Sequence, residues 1–410
     1  MMQELQPTNG ATPKSLAGGL TRKSDAFGDL CQRAWVEIDQ GALSHNVRQL
    51  RKLLSAPTQL MAVVKADAYG HGATMVARIA LEAGASGLCV ATLQEGIQLR
   101  EAGIEAPILL LGAINTPEQV NAIAHWQLEP TICTPEQAWM FSETLSGLKK
   151  ILPVHLKLDT GMSRLGMPWQ DTTQFVGLVK RLPYLKIASI YSHLATADSP
   201  DPTIMRLQRQ RFEDAIAQLR DAGIKPPRLH LANSAATLAD QTLHYDWVRV
   251  GLALYGLYPA EHLRNTVDLK PVMQVKARVT QVKTISPGTG VSYGYQFIAD
   301  KETRIAVVGI GYADGIPRNL SNKMTVLIRG QQVRQIGAIT MDQLMLDVST
   351  IPDLQTGEVV TLIGQDGNLQ ISADDWAQTL GTISWEILCS FKHRLPRVAV
   401  GQPDLLTSEQ

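Results

Sequence analysis

Between Leu60 and Gly251 the chain repeats one pattern eight times: a short apolar run, then an amphipathic stretch of ten or more residues. The runs are Leu60–Val64, Gly87–Ala91, Ile108–Leu111, Leu128–Cys133, Val154–Leu158, Ile187–Ser192, Arg228–Leu231 and Trp247–Val250. Such alternation predicts parallel strands joined by crossover helices, because a strand covered on both faces has no polar side to display. Gly72–Ala83 and Asp201–Ala222 have helical apolar spacing, and Gly84 and Gly223 supply the left-handed residue that stops each helix. Eight units closing on themselves give an α/β fold of the (β/α)8 TIM-like barrel kind, here compact because the span falls short of the roughly 250 residues usual for it.

After Val267 the pattern changes to β-branched runs broken by turn signals, at Val275–Ile285, Arg304–Ile310, Met324–Ile328 and Val359–Ile363. A separate β-rich C-terminal domain is expected there, with a short helix led by Asp374, Asp375 and Trp376 and a late extended segment at Arg394-Leu395-Pro396-Arg397. The expected division is a flexible tail over 1–33, a barrel over 34–266 and the β-rich domain over 267–405. A length of 410 residues with 45% hydrophobic content suffices for two such cores. The 38 basic and 38 acidic side chains cancel, which argues against nucleic acid or an anionic membrane as principal partner and for a small metabolite. Cys31, Cys89, Cys133 and Cys389 are too scattered for a metal finger or a disulfide scaffold and read as reduced thiols. The first residues show neither a signal peptide nor an anchor, so a cytoplasmic location is expected.

Barrel enzymes carry their chemistry on the loops after the strands, and the polar outliers of this chain fall there. Lys65 follows the first run, Arg164 the fifth, His193 the sixth, Ser234 the seventh, and Arg249 with Gly251 the eighth. A lysine at the end of a buried strand loses its proton more readily than a solvated one, and a neutral amine condenses with an aldehyde. A lysine merely snorkelling at the strand end is the bland alternative. The loops after the last two strands commonly hold phosphate; Asn233-Ser234-Ala235 offers a hydroxyl and helix N-terminal amides, and Gly251-Leu252 admits close backbone approach. Ser234 as a simple N-cap, Gly251 as a simple turn, His193 as a satisfied core histidine, Arg164 in a surface ion pair and Arg249 in a buried salt bridge to a barrel carboxylate remain open at this level.

Three separated motifs, Ala62-Val63-Val64-Lys65-Ala66-Asp67-Ala68-Tyr69-Gly70-His71-Gly72, Lys157-Leu158-Asp159-Thr160-Gly161-Met162 and Val291-Ser292-Tyr293-Gly294-Tyr295, stand in the order found in the alanine racemases. Over about residues 34–397 the chain resembles that family of pyridoxal-phosphate enzymes of fold type III. The resemblance implies pyridoxal 5'-phosphate as cofactor, Lys65 and Tyr293 as the two catalytic bases, and Tyr69, His193, Ser234, Arg249, Gly251 and Leu252 around the cofactor. Arg249 would face the pyridine nitrogen and leave it largely unprotonated, and His193 with Arg249 would favour the phenolate of Tyr293. Arg164 is expected to fix the substrate carboxylate or the cofactor's ring oxygen, the amide of Met341 to reach that carboxylate from across the dimer, and Tyr312 to narrow the entrance. Lys157 matches a position carbamylated in some relatives, with an unmodified lysine paired to Asp159 as the alternative. Tyr293 would reach the partner's barrel, so a homodimer with two shared sites is implied, making D-alanine for peptidoglycan. The strand near Trp35–Ile38 would join the C-terminal domain. One departure is His393, where many relatives carry tyrosine ahead of the Arg-Leu-Pro-Arg segment; it puts an inner gate and one phosphate contact in question. A broader amino-acid racemase, a barrel decarboxylase and a non-catalytic pyridoxal-binding protein are the competing readings. Without the resemblance Tyr293 reads as a half-buried strand tyrosine.

Overall fold

The structure, a computed structural model, describes residues 32–403 apart from positions 226 and 265. The tail expected over 1–33 lies outside the described residues except for its last two positions, and so does Cys31. The compact unit described begins at Arg33.

Eight parallel strands form the barrel: Gln59–Val63, Gly87–Val90, Ile108–Ala113, Glu129–Ile132, Leu152–Asp159, Leu185–Tyr191, Arg228–His230 and Trp247–Val250. Each pairs with the next, and the eighth pairs with the first, Trp247 opposite Gln59 and Val250 opposite Ala62, which closes the ring. A two-residue strand, Met167–Pro168, is appended beyond the fifth. Gly87–Val90 and Trp247–Val250 are buried throughout, as the unbroken apolar runs require. The intervening helices start where sequence chemistry puts them. Thr92 and Glu95 form a reciprocal capping box, while Thr116 and Thr134 cap helices whose first residues are Pro117 and Pro135. Gly84 and Gly223 follow their helices at φ +111° and +70°.

The first strand of the described chain, Ala34–Asp39, is not part of the barrel. It runs antiparallel to Met273–Ile285 and parallel to Arg397–Val400 in a second, nine-stranded sheet. Helix Gln40–Lys52 then returns the chain to the barrel, and its buried Asn46 donates to the carbonyls of Leu254 and Lys270. The β-rich domain contains the expected runs as Met273–Ile285, Thr303–Val308, Thr325–Ile328 and Val359–Asp366, with Ser372 capping the helix Ala373–Leu380. Besides the short strands Gly290–Val291, Phe297–Ile298 and Leu369–Ile371, three elements escaped the sequence reading: strands Gln331–Ile336 and Leu344–Asp347 and helix Ser384–Ser390. Gln331–Ile336 is mostly polar and half exposed, and the other two elements are too short for a period to register. One apolar core runs from the barrel strands into this sheet. Among the described residues no helix is long and apolar enough to cross a membrane.

Candidate active site

The first barrel strand gives way to a turn of unusual hand. Ala66, Asp67, Ala68 and Tyr69 lie at φ of 53°, 53°, 54° and 54°, and Gly70 continues at 82°. A left-handed conformation costs a residue with a side chain about 1–2 kcal/mol, so four in succession persist only under outside restraint. The restraint is visible. Glu95 Oε1 accepts from the Ala66 amide at 2.8 Å, Asp67 Oδ1 from the Ala73 amide at 2.7 Å, and Arg397 Nε donates to the Gly70 carbonyl at 3.0 Å. His71, fully buried, lies with Nδ1 2.9 Å from the Ala68 carbonyl and its ring stacked 4.3 Å from that of Tyr255. A Cβ at Gly70 would come within 2.5 Å of the Leu388 carbonyl oxygen, so the turn is also pressed from the C-terminal domain. The outcome is that Lys65, half-buried, and Tyr69, buried, face one cavity.

That cavity, of about 670 Å³, opens at the carboxyl ends of the barrel strands. Lys65, Lys157, Arg164 and Arg249 line it, against Asp198 as the one lining carboxylate among the described residues. Four cations around a concave site select an anionic ligand. One wall is a cradle. Ser234 Oγ accepts from the amides of Gly251 at 2.9 Å and Ala253 at 3.4 Å, and a Cβ on Gly251 would sit 2.6 Å from the Tyr69 hydroxyl. Two hydroxyls and the start of the Leu252–Tyr255 turn thereby converge where no side chain fits. Ser234 is not the helix cap. Asn233 takes that role by accepting from the Ala236 amide, which frees the serine oxygen for the neighbouring loop.

Arg249 is buried, and among the described residues it forms no ion pair, which overturns the direct salt bridge to a carboxylate. Its Nη1 donates to His230 Nδ1 at 2.8 Å, and its Nη2 donates to the carbonyls of Ser192 and Leu231 and lies 3.3 Å from His193 Nδ1. All of its hydrogen bonds among the described residues run through Nη1 and Nη2, and none through Nε. Burial, then the charges of Arg249, Lys157, Arg164 and Lys65, push His193 well below the usual histidine range. His193 therefore stands neutral among the cations. Burial and the Arg249 charge likewise bring Lys157 down to about 8. Asp159 does not pair with it: its Oδ1 accepts from the amides of Gly161 and Ser163, an Asx turn that holds the loop leading to Arg164. Arg164 itself is exposed at the cavity mouth with no ion pair among the described residues.

Tyr293, Tyr312 and Met341 are not brought to this cavity. All three are exposed on the β-rich domain, Tyr293 by 71%, and Tyr293 with Thr340 lines a different cavity of about 720 Å³. Tyr293 sits in a 3-10 turn, not in a strand, which corrects the half-buried strand reading. His393 is also exposed and outside the Lys65 cavity. Sequence reasoning missed Tyr191, whose ring lies 5.0 Å from the Arg249 guanidinium and 5.5 Å from Lys157 Nζ, and Trp385 with Cys389, which reach the cavity from the C-terminal domain. For Tyr191 a signal existed: it stands two residues before His193 at the end of the same apolar run.

A closed parallel barrel with a strand-end amine, a hydroxyl-and-amide cradle and a cavity lined by basic side chains is the layout of an enzyme site for a small molecule. Comparison with known proteins makes it particular. The family models for the alanine racemase N-terminal and C-terminal domains match residues 38–259 and 272–399. Alanine racemases of Nostoc sp. and Synechocystis sp. are 69% and 67% identical to the chain, covering 92% and 90% of it and 99% of each relative. The crystal structure of alanine racemase from Bacillus anthracis with bound L-Ala-P superposes with a TM-score of 0.85 at 35% identity, over 92% of this chain and 97% of that one. The chain belongs to the alanine racemase family and is an amino-acid racemase.

Proposed function

We propose that the protein interconverts L- and D-alanine with pyridoxal 5'-phosphate, by proton transfer between two bases on opposite faces of the substrate. The observation that carries this reading is the sharing of one cationic cavity by Lys65 and the Ser234–Gly251–Tyr69 cradle. The residues present fit that cofactor: the cradle suits a phosphate, Arg249 makes its hydrogen bonds among the described residues through Nη1 and Nη2 and so keeps Nε as a donor for a ring nitrogen, and Lys65 is an amine within the same cavity. Bound there, pyridoxal phosphate supplies an aldehyde that takes up an amino group and a conjugated ring that withdraws electrons from the α-carbon.

Lys65 holds or removes the α-proton on one face. Tyr293 of the partner subunit serves the other, because the exposed Tyr293 of the same chain lines a separate cavity, and Tyr312 and Met341 share its exposed position on the β-rich domain. A homodimer with two composite sites follows. Arg249 and the neutral His193 beside it favour the phenolate. Arg164 and, across the dimer, the amide of Met341 of the partner subunit bind the substrate carboxylate. A pocket walled by Tyr69 with the partner's Tyr293, the partner's Tyr312 and the partner's Met341 suits a methyl side chain, although one methylene is worth only about 1–3 kcal/mol of discrimination. We place the domain boundary near 266–267, a cytoplasmic location and a role in peptidoglycan precursor supply in the same reading.

Chiral analysis of the products from L-alanine in deuterated water tests it. D-alanine carrying α-deuterium is expected; cofactor-loaded protein that exchanges no deuterium would refute the reaction.

A further inference from the structure

Arg249 is a fully buried cation without a carboxylate in reach, yet its hydrogen bonds lead to one. Its Nη1 lies 2.8 Å from His230 Nδ1; His230 Nε2 lies 2.7 Å from Ser189 Oγ; Ser189 Oγ lies 2.6 Å from His155 Nδ1; and His155 Nε2 lies 2.7 Å from Glu129 Oε2. These five residues come one each from the fourth, fifth, sixth, seventh and eighth barrel strands. His155 and Ser189 are register partners across the fifth and sixth. His155, Ser189 and His230 are wholly buried, whereas Glu129 opens the fourth strand at the far end of the barrel, with 18% of its side chain exposed. Arg100, the nearby cation that feels the Glu129 charge, is instead committed to the carbonyls of Ile104, Ala106, Trp126 and Gln127.

The protons of this chain have one consistent arrangement. A guanidinium only donates, so His230 Nδ1 accepts and its hydrogen is on Nε2, which donates to Ser189 Oγ. Among the described residues Ser189 Oγ has no other partner than the two histidines, so its own hydrogen goes to His155 Nδ1. His155 is then neutral, and its Nε2–H donates to Glu129. An imidazolium at His155 would force both rings to donate to Ser189 and leave the serine proton without an acceptor inside the barrel, a costly arrangement.

We propose that Glu129, His155, Ser189 and His230 are positioning residues: a one-way relay through the barrel core by which a carboxylate at the opposite end serves as counter-charge to Arg249 and fixes its guanidinium. This rests on the assignment of Arg249 to the cofactor ring. The relay polarises each link toward Glu129 and makes His230 Nδ1 a stronger acceptor. Arg249 stays charged with Nη1 and Nη2 committed, and no carboxylate has to enter the cavity near the ring nitrogen. Glu129 is thus part of the cofactor's electrostatic environment although it lies outside the cavity lining.

The test is neutron diffraction from the full-length, pyridoxal-phosphate-loaded protein, with a spectroscopic arm. Deuterons are expected on Nε2 of both His155 and His230, with neither ring doubly protonated. A doubly protonated His155, or a deuteron on His230 Nδ1, overturns the relay whatever the enzyme turns over. In the second arm, Glu129→Gln keeps an oxygen acceptor for His155 but removes the charge, and Ser189→Ala cuts the chain. Both are expected to shift the ring-nitrogen resonance of 15N-labelled pyridoxal phosphate and to lower kcat about tenfold with KM little changed. An unshifted resonance in folded Glu129→Gln protein overturns the electrostatic role even if Ser189→Ala fails to fold. Loss of turnover with an unmoved deuteron pattern in the native protein would instead count against the racemase reading alone.

Discussion

Gly251 and Tyr69 meet so closely that a single added methyl group at the glycine would lie 2.6 Å from the phenolic oxygen. The contact joins the loops after the eighth and first barrel strands, and it completes the cradle that Ser234 organises. Gly251→Ala should displace Tyr69 or the Leu252–Tyr255 turn. We expect a stability loss of about 1–3 kcal/mol, typical of overpacking, and at least a tenfold weaker grip on pyridoxal phosphate. Fluorescence titration of the cofactor against the apoprotein, beside a thermal melt, checks both. Unchanged affinity would mean that the cradle does not hold the phosphate.

Lys157 is poised for modification by carbon dioxide, which reacts only with a neutral amine. Burial and the Arg249 charge bring its side chain down to about 8, so a substantial neutral fraction exists near physiological pH. Protein equilibrated with 13C-bicarbonate should show a carbamate carbon resonance that is missing from Lys157→Arg. A carbamate would turn one of the four cations of the cavity into an anion beside Arg164. If the native protein gives no such signal, Lys157 acts as a plain buried cation.

His71 makes the left-handed turn acid-sensitive. Burial lowers it from 6.5 to about 4, since Nε2 has no partner and charging the ring would leave an ammonium-like group unsolvated. The folded value lies below the unfolded one, so the stabilisation is complete above pH 6.5 and is lost as pH falls from 6.5 toward 4. The whole effect amounts to about 3 kcal/mol. Urea unfolding of native protein and His71→Gln, measured from neutral pH down to the acid range, should show the native advantage shrinking by roughly that amount. A gap that stays constant with pH would place the acid sensitivity elsewhere, with His193 and His230 the next groups held low by burial.

Much of this was legible in the sequence because a barrel has a simple grammar. The eight apolar runs located the strands, and Lys65, Arg164, His193, Ser234 and Arg249, each just beyond or near the end of a run, converge on one cavity. What stayed hidden depends on three-dimensional closure or on tertiary restraint. Glu129, His155, Ser189 and His230 are single polar residues in separate strands, and only the barrel register sets them in line. The turn from Ala66 to Tyr69 carries no glycine to announce its positive φ, because the outside contacts of Glu95, Arg397 and Leu388 impose it. Trp385 and Cys389 reach the site on a seven-residue helix, too short to display a period.

The placement of Lys65 and Tyr293 in different cavities of one chain makes the composite site testable without any structure of the dimer. In a symmetric dimer each subunit would give its lysine to one site and its tyrosine to the other. A Lys65→Ala chain and a Tyr293→Phe chain should each be nearly inactive alone. Refolded together, the two form a heterodimer in which one site carries both defects and the other carries none. Random pairing of equal amounts makes half the dimers mixed, so recovered activity should approach about a quarter of the native value. Sites confined to single chains would recover nothing on mixing, because every lysine-deficient chain would keep its own tyrosine and every tyrosine-deficient chain its own lysine. The recovery must also appear only under conditions that exchange subunits, since it requires a new interface and not merely two proteins in one tube.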